Sequence, residues 1–176
     1  MSIDLNDHEN PFPNPQLARA ITQANAKSYK GVINIVSYGY HQYDCDPRPN
    51  FTRDDLEKYL QDHRERELTG LKSWVPYVNQ IGFRPFVMTI VTKADLWYGR
   101  HGVETYYQAG AYYQKLCELA HVPGDRLDHF VVIMSSRKQK FYGQIEPAGA
   151  WDDDARANAR SNLIEQLLQA VGERRG

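Results

Sequence analysis

The stretch VMTIVTKADLWYG, residues 87–99, connects a run of apolar side chains directly to a hydroxyl, an ammonium and a carboxylate. The run is rich in Val and Ile and does not alternate strictly with polar residues. This pattern is typical of a strand that is covered on both faces, as in a parallel sheet. We therefore predict a buried strand whose carboxyl end carries Thr92, Lys93 and Asp95.

Two more apolar runs of the same kind flank this stretch, GVINIVSYG at residues 31–39 and FVVIMS at residues 130–135. Between and around the three runs, apolar residues recur at the spacing of a helix. The helical patterns cover residues 15–30, 52–74, 103–120 and 152–168. The sequence therefore alternates helices and strands.

This alternation predicts an α/β fold, a three-layer α/β/α arrangement with a mainly parallel sheet joined by right-handed crossovers. Residues 1–176 are expected to form one domain, of which residues 1–14 are an irregular N-terminal segment. Ligands of such sheets bind outside the carboxyl ends of the strands. The candidate positions are therefore residues 38–46, 92–97 and 135–140.

Charge and composition argue against several classes of protein. The formal net charge of the 176-residue chain is -1, so no basic excess indicates a nucleic acid or an anionic membrane as a partner. No apolar stretch approaches the roughly 20 residues that a membrane span requires, and the polar N-terminus lacks the pattern of a signal peptide. We therefore expect a cytoplasmic protein in which Cys45 and Cys117 are reduced thiols.

The stretch TKAD at residues 92–95 resembles the base-reading motif NKxD of P-loop GTPases, which several branches of the family write as TKxD. One helix and one strand later, MSSRK at residues 134–138 resembles the last motif of the family, a strand ending in Ser followed by a small residue. The resemblance implies a partial GTPase-like domain that matches the C-terminal two thirds of a GTPase domain. It also implies a set of guanine-binding residues, Thr92, Lys93, Asp95, Ser135, Ser136 and Arg137.

The chemistry of guanine agrees with a carboxylate at position 95. Guanine presents two hydrogen-bond donors on one edge, and the carboxylate of Asp95 can accept from both. Adenine presents an acceptor there, which would leave the carboxylate unpaired and so disfavour adenine. By resemblance, Lys93 would lay its methylene stem along the base, and the backbone N–H of Ser136 would face the guanine carbonyl oxygen. Ser135 would brace the loop, and Arg137 would cover the outer face of the site.

The departures from the family concern the phosphate side of the site. The loop GxxxxGK[ST], which holds phosphate and Mg²⁺, does not occur in the 176 residues, and if Asp4 begins the DxxG motif, Asp7 occupies its glycine position. We therefore assign no catalytic residue and no metal ligand, and expect Mg²⁺ only with the missing loop. A guanine ring alone would bind on the order of 1 mM, so GTP or GDP is expected to bind weakly or with a partner. GTP hydrolysis is expected only if other sequence supplies the loop.

The resemblance also implies a protein partner. In the family, the strand that leads into the phosphate loop lies beside the strand corresponding to residues 32–37, so its loss would expose an apolar edge. We expect this edge to pair with a protein partner or with another copy of the chain. The alternative function is a nucleotide-free pseudo-GTPase scaffold that acts as a protein–protein interaction module. Its other contact surface would be a helix that carries four tyrosines, Tyr106, Tyr107, Tyr112 and Tyr113. Two of these side chains can point inward, and the remaining two would form the contact.

Two other groups of polar residues support weaker predictions. The first lies at the ligand edge and comprises Tyr40, His41, Asp44, Cys45 and Asp46. Its spacing fits no standard metal site, so a hydrolase that uses His41 is a remote alternative. The second group is interpreted as the solvated face of a helix and comprises His63, Glu65 and Glu67.

Overall fold

The computed structural model describes residues 31–41, 53–78, 86–121, 127–135, 138–143 and 145–172. The predicted helix at residues 15–30 and the irregular segment 1–14 lie outside these ranges. The described elements are β1 (Gly31–Val36), α1 (Arg53–Val78), β2 (Phe86–Val91), α2 (Ala94–Trp97), α3 (Val103–Gln108), α4 (Ala111–Ala120), β3 (His129–Ile133) and α5 (Asp153–Gly172). No helix among them has both the length and the apolar content needed to cross a membrane.

The three strands form one parallel sheet in the order β1-β2-β3. Ile33 pairs with Met88, and Met88 pairs with Phe130, so the side chains of these three residues share one face of the sheet. The predicted α/β fold with a parallel sheet is therefore confirmed. Among the residues that the structure describes, β1 and β3 are the edge strands.

Helices pack on both faces of the sheet and bury two hydrophobic clusters. The main core lies against α1, α3 and α4, and its buried side chains include Leu60, Leu71, Trp97, Tyr107, Tyr112 and Leu116. The smaller cluster lies on the opposite face beneath α5 and consists of Phe86, Met88, Val132 and Ala170, with Leu163 and Leu167 packed against it. Burying the apolar face of each element in this way supplies the main driving force for folding.

The helix predicted over residues 103–120 is divided into α3 and α4. The break falls at Ala109 and Gly110, where the Gly110 N–H donates to the carbonyl oxygen of Thr105 over 2.7 Å. A Cβ atom at Gly110 would lie only 2.8 Å from the Cα of Tyr106. The apolar spacing continues across the break, which is why the sequence pattern alone indicated one helix.

The first strand spans Gly31–Val36, within one residue of the range 32–37 that the sequence analysis assigned to it. Tyr38 and Gly39 follow with φ values of 54° and 82°, a left-handed conformation outside the extended region that strand residues adopt. A Cβ atom at Gly39 would lie 2.4 Å from the carbonyl oxygen of Leu60, so this close approach requires glycine. The chain therefore turns sharply at the carboxyl end of β1 and packs against α1.

Two predictions about burial were wrong. β1 was expected to be covered on both faces, but Ile33 is 48% exposed and Ile35 is 54% exposed. His63 and Glu67 were expected in solvent, but both are buried, at 6% and 7% exposure, and only Glu65 of this group is exposed. His63 and Glu67 lie four residues apart on the face of α1 that packs on the sheet, where helical spacing places them among apolar neighbours.

Candidate functional site

Hydrogen bonds join the carboxyl ends of the three strands. The backbone N–H of Thr92 donates to the carbonyl oxygen of Val36 over 2.7 Å, which ties the end of β2 to the end of β1. The N–H of Ala94 donates to the carbonyl oxygen of Met134 over 3.3 Å, which ties the same loop to the residues after β3. The loop that carries the TKAD motif is therefore fixed from both sides at the ligand edge of the sheet.

Asp95 follows this loop in the first turn of α2 and is only 3% exposed. Its Oδ1 accepts a hydrogen bond from the Ser135 hydroxyl over 2.5 Å, and its Oδ2 accepts one from the backbone N–H of Gln139 over 3.0 Å. Both donors are neutral. A carboxylate can accept about four hydrogen bonds, so the two named here leave acceptor capacity on each oxygen. The structure thus places Asp95 beside Ser135, the first residue of the second candidate motif.

Lys93 precedes Asp95 in a left-handed backbone conformation, with φ of 56° and ψ of 36°, at the start of α2. Its ammonium nitrogen lies 5.6 Å from the centroid of the Phe141 ring, within the range of a cation–π contact. Burial lowers the pKa of Lys93, and the nearby carboxylate of Asp95 partly opposes that shift. A left-handed conformation is uncommon outside glycine, so the bonds around this loop hold Lys93 in a disfavoured geometry.

Thr92 uses its side chain as well as its backbone at this edge. Its Oγ1 donates to the carbonyl oxygen of Val36 over 2.8 Å, so this oxygen accepts twice from one residue. Trp97 in turn donates its ring N–H to the carbonyl oxygen of Thr92 over 2.9 Å. The hydroxyl of Thr92 therefore connects the candidate motif to β1.

We expect Thr92→Val to lower the free energy of unfolding by about 1 kcal/mol, because it removes one neutral hydrogen bond and preserves the shape of the side chain. Urea denaturation followed by circular dichroism measures this loss. Thr69→Val, at an exposed position of α1, is the matched control and is expected to change the free energy by less than about 0.5 kcal/mol. Equal values for the two variants would contradict the connecting role of the Thr92 hydroxyl.

The remaining residues of the predicted guanine site, Ser136 and Arg137, lie outside the described residues. Their roles therefore stay predictions. The same holds for Asp44, Cys45 and Asp46 of the weaker cluster.

Glu67 forms a second polar centre at the ligand edge, which the sequence analysis missed. Its Oε1 accepts hydrogen bonds from the backbone N–H groups of Ser37 and Gly39, each over 3.0 Å, and contacts Nε2 of His41 at 2.8 Å. Its Oε2 accepts from the hydroxyl of Tyr107 over 2.7 Å. One buried carboxylate therefore holds the turn after β1 in place.

The pKa of Tyr107, the tyrosine at this centre, departs strongly from its usual value. Burial raises the pKa of Tyr107 well above its usual value, and the negative charge of Glu67 adds to the increase. The Tyr107 hydroxyl also accepts a hydrogen bond from the backbone N–H of Tyr38 over 3.0 Å. A signal in the sequence could have found this centre, because Glu67 and His63 continue the apolar helical spacing of Leu56 and Leu60.

The histidine of the weaker cluster belongs to this second centre. His41 faces Glu67, and its ring lies 5.9 Å from that of His63, nearly parallel to it. In the ranges that the structure describes, no three His, Cys, Asp or Glu side chains are grouped so that they could hold a metal ion.

The chain matches no protein-family model, no curated protein and no solved structure. The geometry described above therefore carries the functional argument. Its central observation is the buried carboxylate of Asp95, which lies at the carboxyl end of β2 and accepts from Ser135.

Proposed function

We propose that this chain is a GTPase-like domain that binds guanine nucleotides and contributes the base-recognition half of the site. The observation that carries the proposal is the hydrogen bond between Asp95 and Ser135, because it joins the two stretches that resemble guanine-binding motifs. They are 40 residues apart in the sequence. The position of Asp95 and Ser135 after β2 and β3 also supports the proposal, since ligands of parallel α/β sheets bind outside the carboxyl ends of the strands.

The environment of Asp95 suits recognition of paired donors. The carboxylate is buried and accepts from two neutral donors, a hydroxyl and a backbone N–H, while the charge of the Lys93 ammonium lies nearby. Guanine would add one donor to each carboxylate oxygen, from N1–H and from the exocyclic amine. Adenine would place an acceptor against a buried acceptor, and such a mismatch gives the large discrimination of hydrogen-bonding sites.

The proposal is restricted to the base. Phosphate and Mg²⁺ would be held by residues of another polypeptide or of other sequence, since the 176 residues contain no GxxxxGK[ST]. GTP and GDP are therefore expected to bind weakly to this chain, and GTP hydrolysis requires the missing loop. A cytoplasmic location, where guanine nucleotides are abundant, remains part of the proposal.

A substitution that replaces one acceptor oxygen of Asp95 by a hydrogen-bond donor tests the proposal. We expect the wild-type chain to bind GMP with a dissociation constant on the order of 1 mM and to bind AMP and XMP more weakly. Asp95→Asn should weaken GMP binding at least about tenfold and strengthen XMP binding, because xanthine has a carbonyl where guanine has an amine. Titration of the ¹⁵N-labelled chain, followed by the amide signals of residues 92–96, measures these affinities.

Asp62→Asn is the matched control, since Asp62 is an exposed carboxylate on α1. It should leave GMP and XMP binding unchanged. Circular dichroism verifies that the Asp95→Asn variant is folded. We expect it to fold, because the Asn side chain retains one acceptor oxygen. A wild-type chain whose amide signals do not respond to GMP would refute the proposal, as would an Asp95→Asn variant with unaltered nucleotide preference.

A second candidate function is that of a protein–protein interaction module without nucleotide. The observation that favours it is the free side of β1 in the described sheet, where Ile33 and Ile35 are exposed. Val36 directs its carbonyl oxygen at β2, so the alternate residues Ile33 and Ile35 direct their backbone groups away from it. An apolar strand with outward backbone groups is a template for another polypeptide.

A further inference from the structure

Lys93 places a half-buried amine at the carboxyl end of β2. Within the part of the chain that the structure describes, its side-chain nitrogen takes part in no hydrogen bond and no ion pair. Lys115 and Lys140 differ, because each forms an ion pair with a glutamate. Removing an ammonium from water without an anionic contact disfavours the charged form, so this position favours the neutral amine.

Two neighbours of Lys93 oppose that effect only in part. Burial lowers the pKa of Lys93 and outweighs the nearby carboxylate of Asp95, which raises it. The centroid of the Phe141 ring lies 5.6 Å from the nitrogen, close to the outer limit of a cation–π contact at about 6 Å, so the ring replaces little of the lost hydration. Each unit by which a lysine pKa falls raises the neutral fraction about tenfold at neutral pH, and the neutral amine is the nucleophile.

The backbone holds Lys93 in one position. The N–H groups of Thr92 and Ala94, on either side of it, donate to β1 and to the residue after β3, and its own carbonyl oxygen accepts from the Leu96 N–H over 2.9 Å. The left-handed conformation of Lys93 costs on the order of 1–3 kcal/mol, and such conformations cluster at functional sites. The amine is therefore attached to a fixed loop at the edge where ligands of parallel sheets bind.

We propose that Lys93 forms a Schiff base with a small uncharged aldehyde. The nitrogen lone pair attacks the carbonyl carbon, and a proton passes from the nitrogen to the carbonyl oxygen through solvent. The resulting hydroxyl leaves as water when the nitrogen loses its second proton and the C=N bond forms, so no oxidant or cofactor is required. The negative charge of Asp95 disfavours an aldehyde that carries a carboxylate or a phosphate. The reaction does not use the hydrogen-bond acceptors of Asp95, so it holds or fails independently of guanine binding.

Reductive trapping of the intact chain without nucleotide tests the proposal. Sodium cyanoborohydride converts an imine into a stable secondary amine, and mass spectrometry of proteolytic peptides then compares the lysines after sparse labelling. With propanal, we expect Lys93 to be labelled at least about fivefold faster than Lys58 and Lys72, two exposed lysines of α1. Labelling of Lys93 at the rate of these two lysines, or more slowly, would overturn the proposal.

Glyoxylate, an aldehyde with a carboxylate, tests the charge of the substrate. Its preference for Lys93 over Lys58 and Lys72 should be at least about threefold smaller than that of propanal, because Asp95 repels it. A preference of the same size would overturn the assignment of an uncharged substrate.

Two variants separate the amine from its surroundings. Lys93→Arg keeps the positive charge without a nucleophilic amine, so the fast labelling should disappear while Lys58 and Lys72 react as before. Asp95→Asn removes the carboxylate that favours the ammonium and should raise the labelling rate of Lys93 at least about twofold, whereas Asp62→Asn, at an exposed position of α1, should not change it. Slower labelling of Lys93 in an Asp95→Asn chain that circular dichroism shows to be folded would overturn the proposal.

Discussion

Replacing Glu67 by Ala is expected to lower the free energy of unfolding by about 4 kcal/mol, because it leaves several buried donors without their acceptor. The backbone N–H groups of Ser37 and Gly39 and the hydroxyl of Tyr107 all donate to this carboxylate. A missing partner costs about 1–3 kcal/mol for each buried group, and relaxation of the turn after β1 recovers part of that cost. Urea denaturation measures the change.

Two further variants make this result specific to the hydrogen bonds. Glu67→Gln keeps one acceptor oxygen and the size of the side chain, so it should lose only about 1–2 kcal/mol. Glu65→Ala removes an exposed carboxylate from the same helix and should change the free energy by less than about 0.5 kcal/mol. If Glu67→Ala were as stable as Glu65→Ala, the carboxylate would not organise this edge of the sheet.

Acidification is expected to destabilise the chain through His129. Burial lowers the pKa of His129 to about 4, and its Nε2 lies 2.9 Å from the hydroxyl oxygen of Thr89. The ring of Tyr113 stacks on the imidazole ring of His129, with 5.5 Å between the ring centroids. The folded chain therefore favours the neutral imidazole, whereas the unfolded chain protonates at the usual value near 6.5.

The sign of the effect follows from proton binding. Between pH 6.5 and about 4, the unfolded state binds more protons than the folded state, so stability is complete above this window and declines as the pH falls through it. The loss should amount to about 2–3 kcal/mol between pH 7.5 and pH 4.5. His63, whose pKa burial also lowers, changes stability in the same direction.

Urea denaturation at these two pH values, with wild type and His129→Gln compared, isolates the contribution of His129 from that of other titrating groups. The variant should lose less stability than the wild type on acidification, by about 2–3 kcal/mol. His101→Gln replaces an exposed histidine and should retain the wild-type dependence. An identical pH dependence in wild type and His129→Gln would contradict the role of His129.

The fold was predictable where one pattern dominated a segment. Continuous apolar runs predicted three strands, and the structure confirms a parallel sheet made from them. The spacing of apolar side chains was less informative about where a strand ends or a helix breaks. The turn at Tyr38 and Gly39 and the break at Gly110 depend on how closely one segment approaches another, and this distance is not encoded in local spacing.

The candidate site was also predictable from the sequence only in part. Asp95 and Ser135 were singled out because TKAD and MSSRK, at the ends of two apolar runs, resemble guanine-binding motifs, and the structure places the two side chains in contact. Glu67 was interpreted as a surface residue, because a charged side chain on a helix is most often solvated. Four donors from the turn after β1 and from α3 compensate its burial, and these donors are 26 to 40 residues away in the sequence.

The sequence by itself determined the alternation of helices and strands and the residues at the carboxyl ends of the strands, since both follow from periodicity along the chain. Only the tertiary structure decided which of these polar groups are buried and which apolar ones, such as Ile33 and Ile35, stay exposed. The physical reason is that burial depends on neighbours brought together from distant segments. Hydrogen-bond partners and covering helices are therefore determined only when the elements pack.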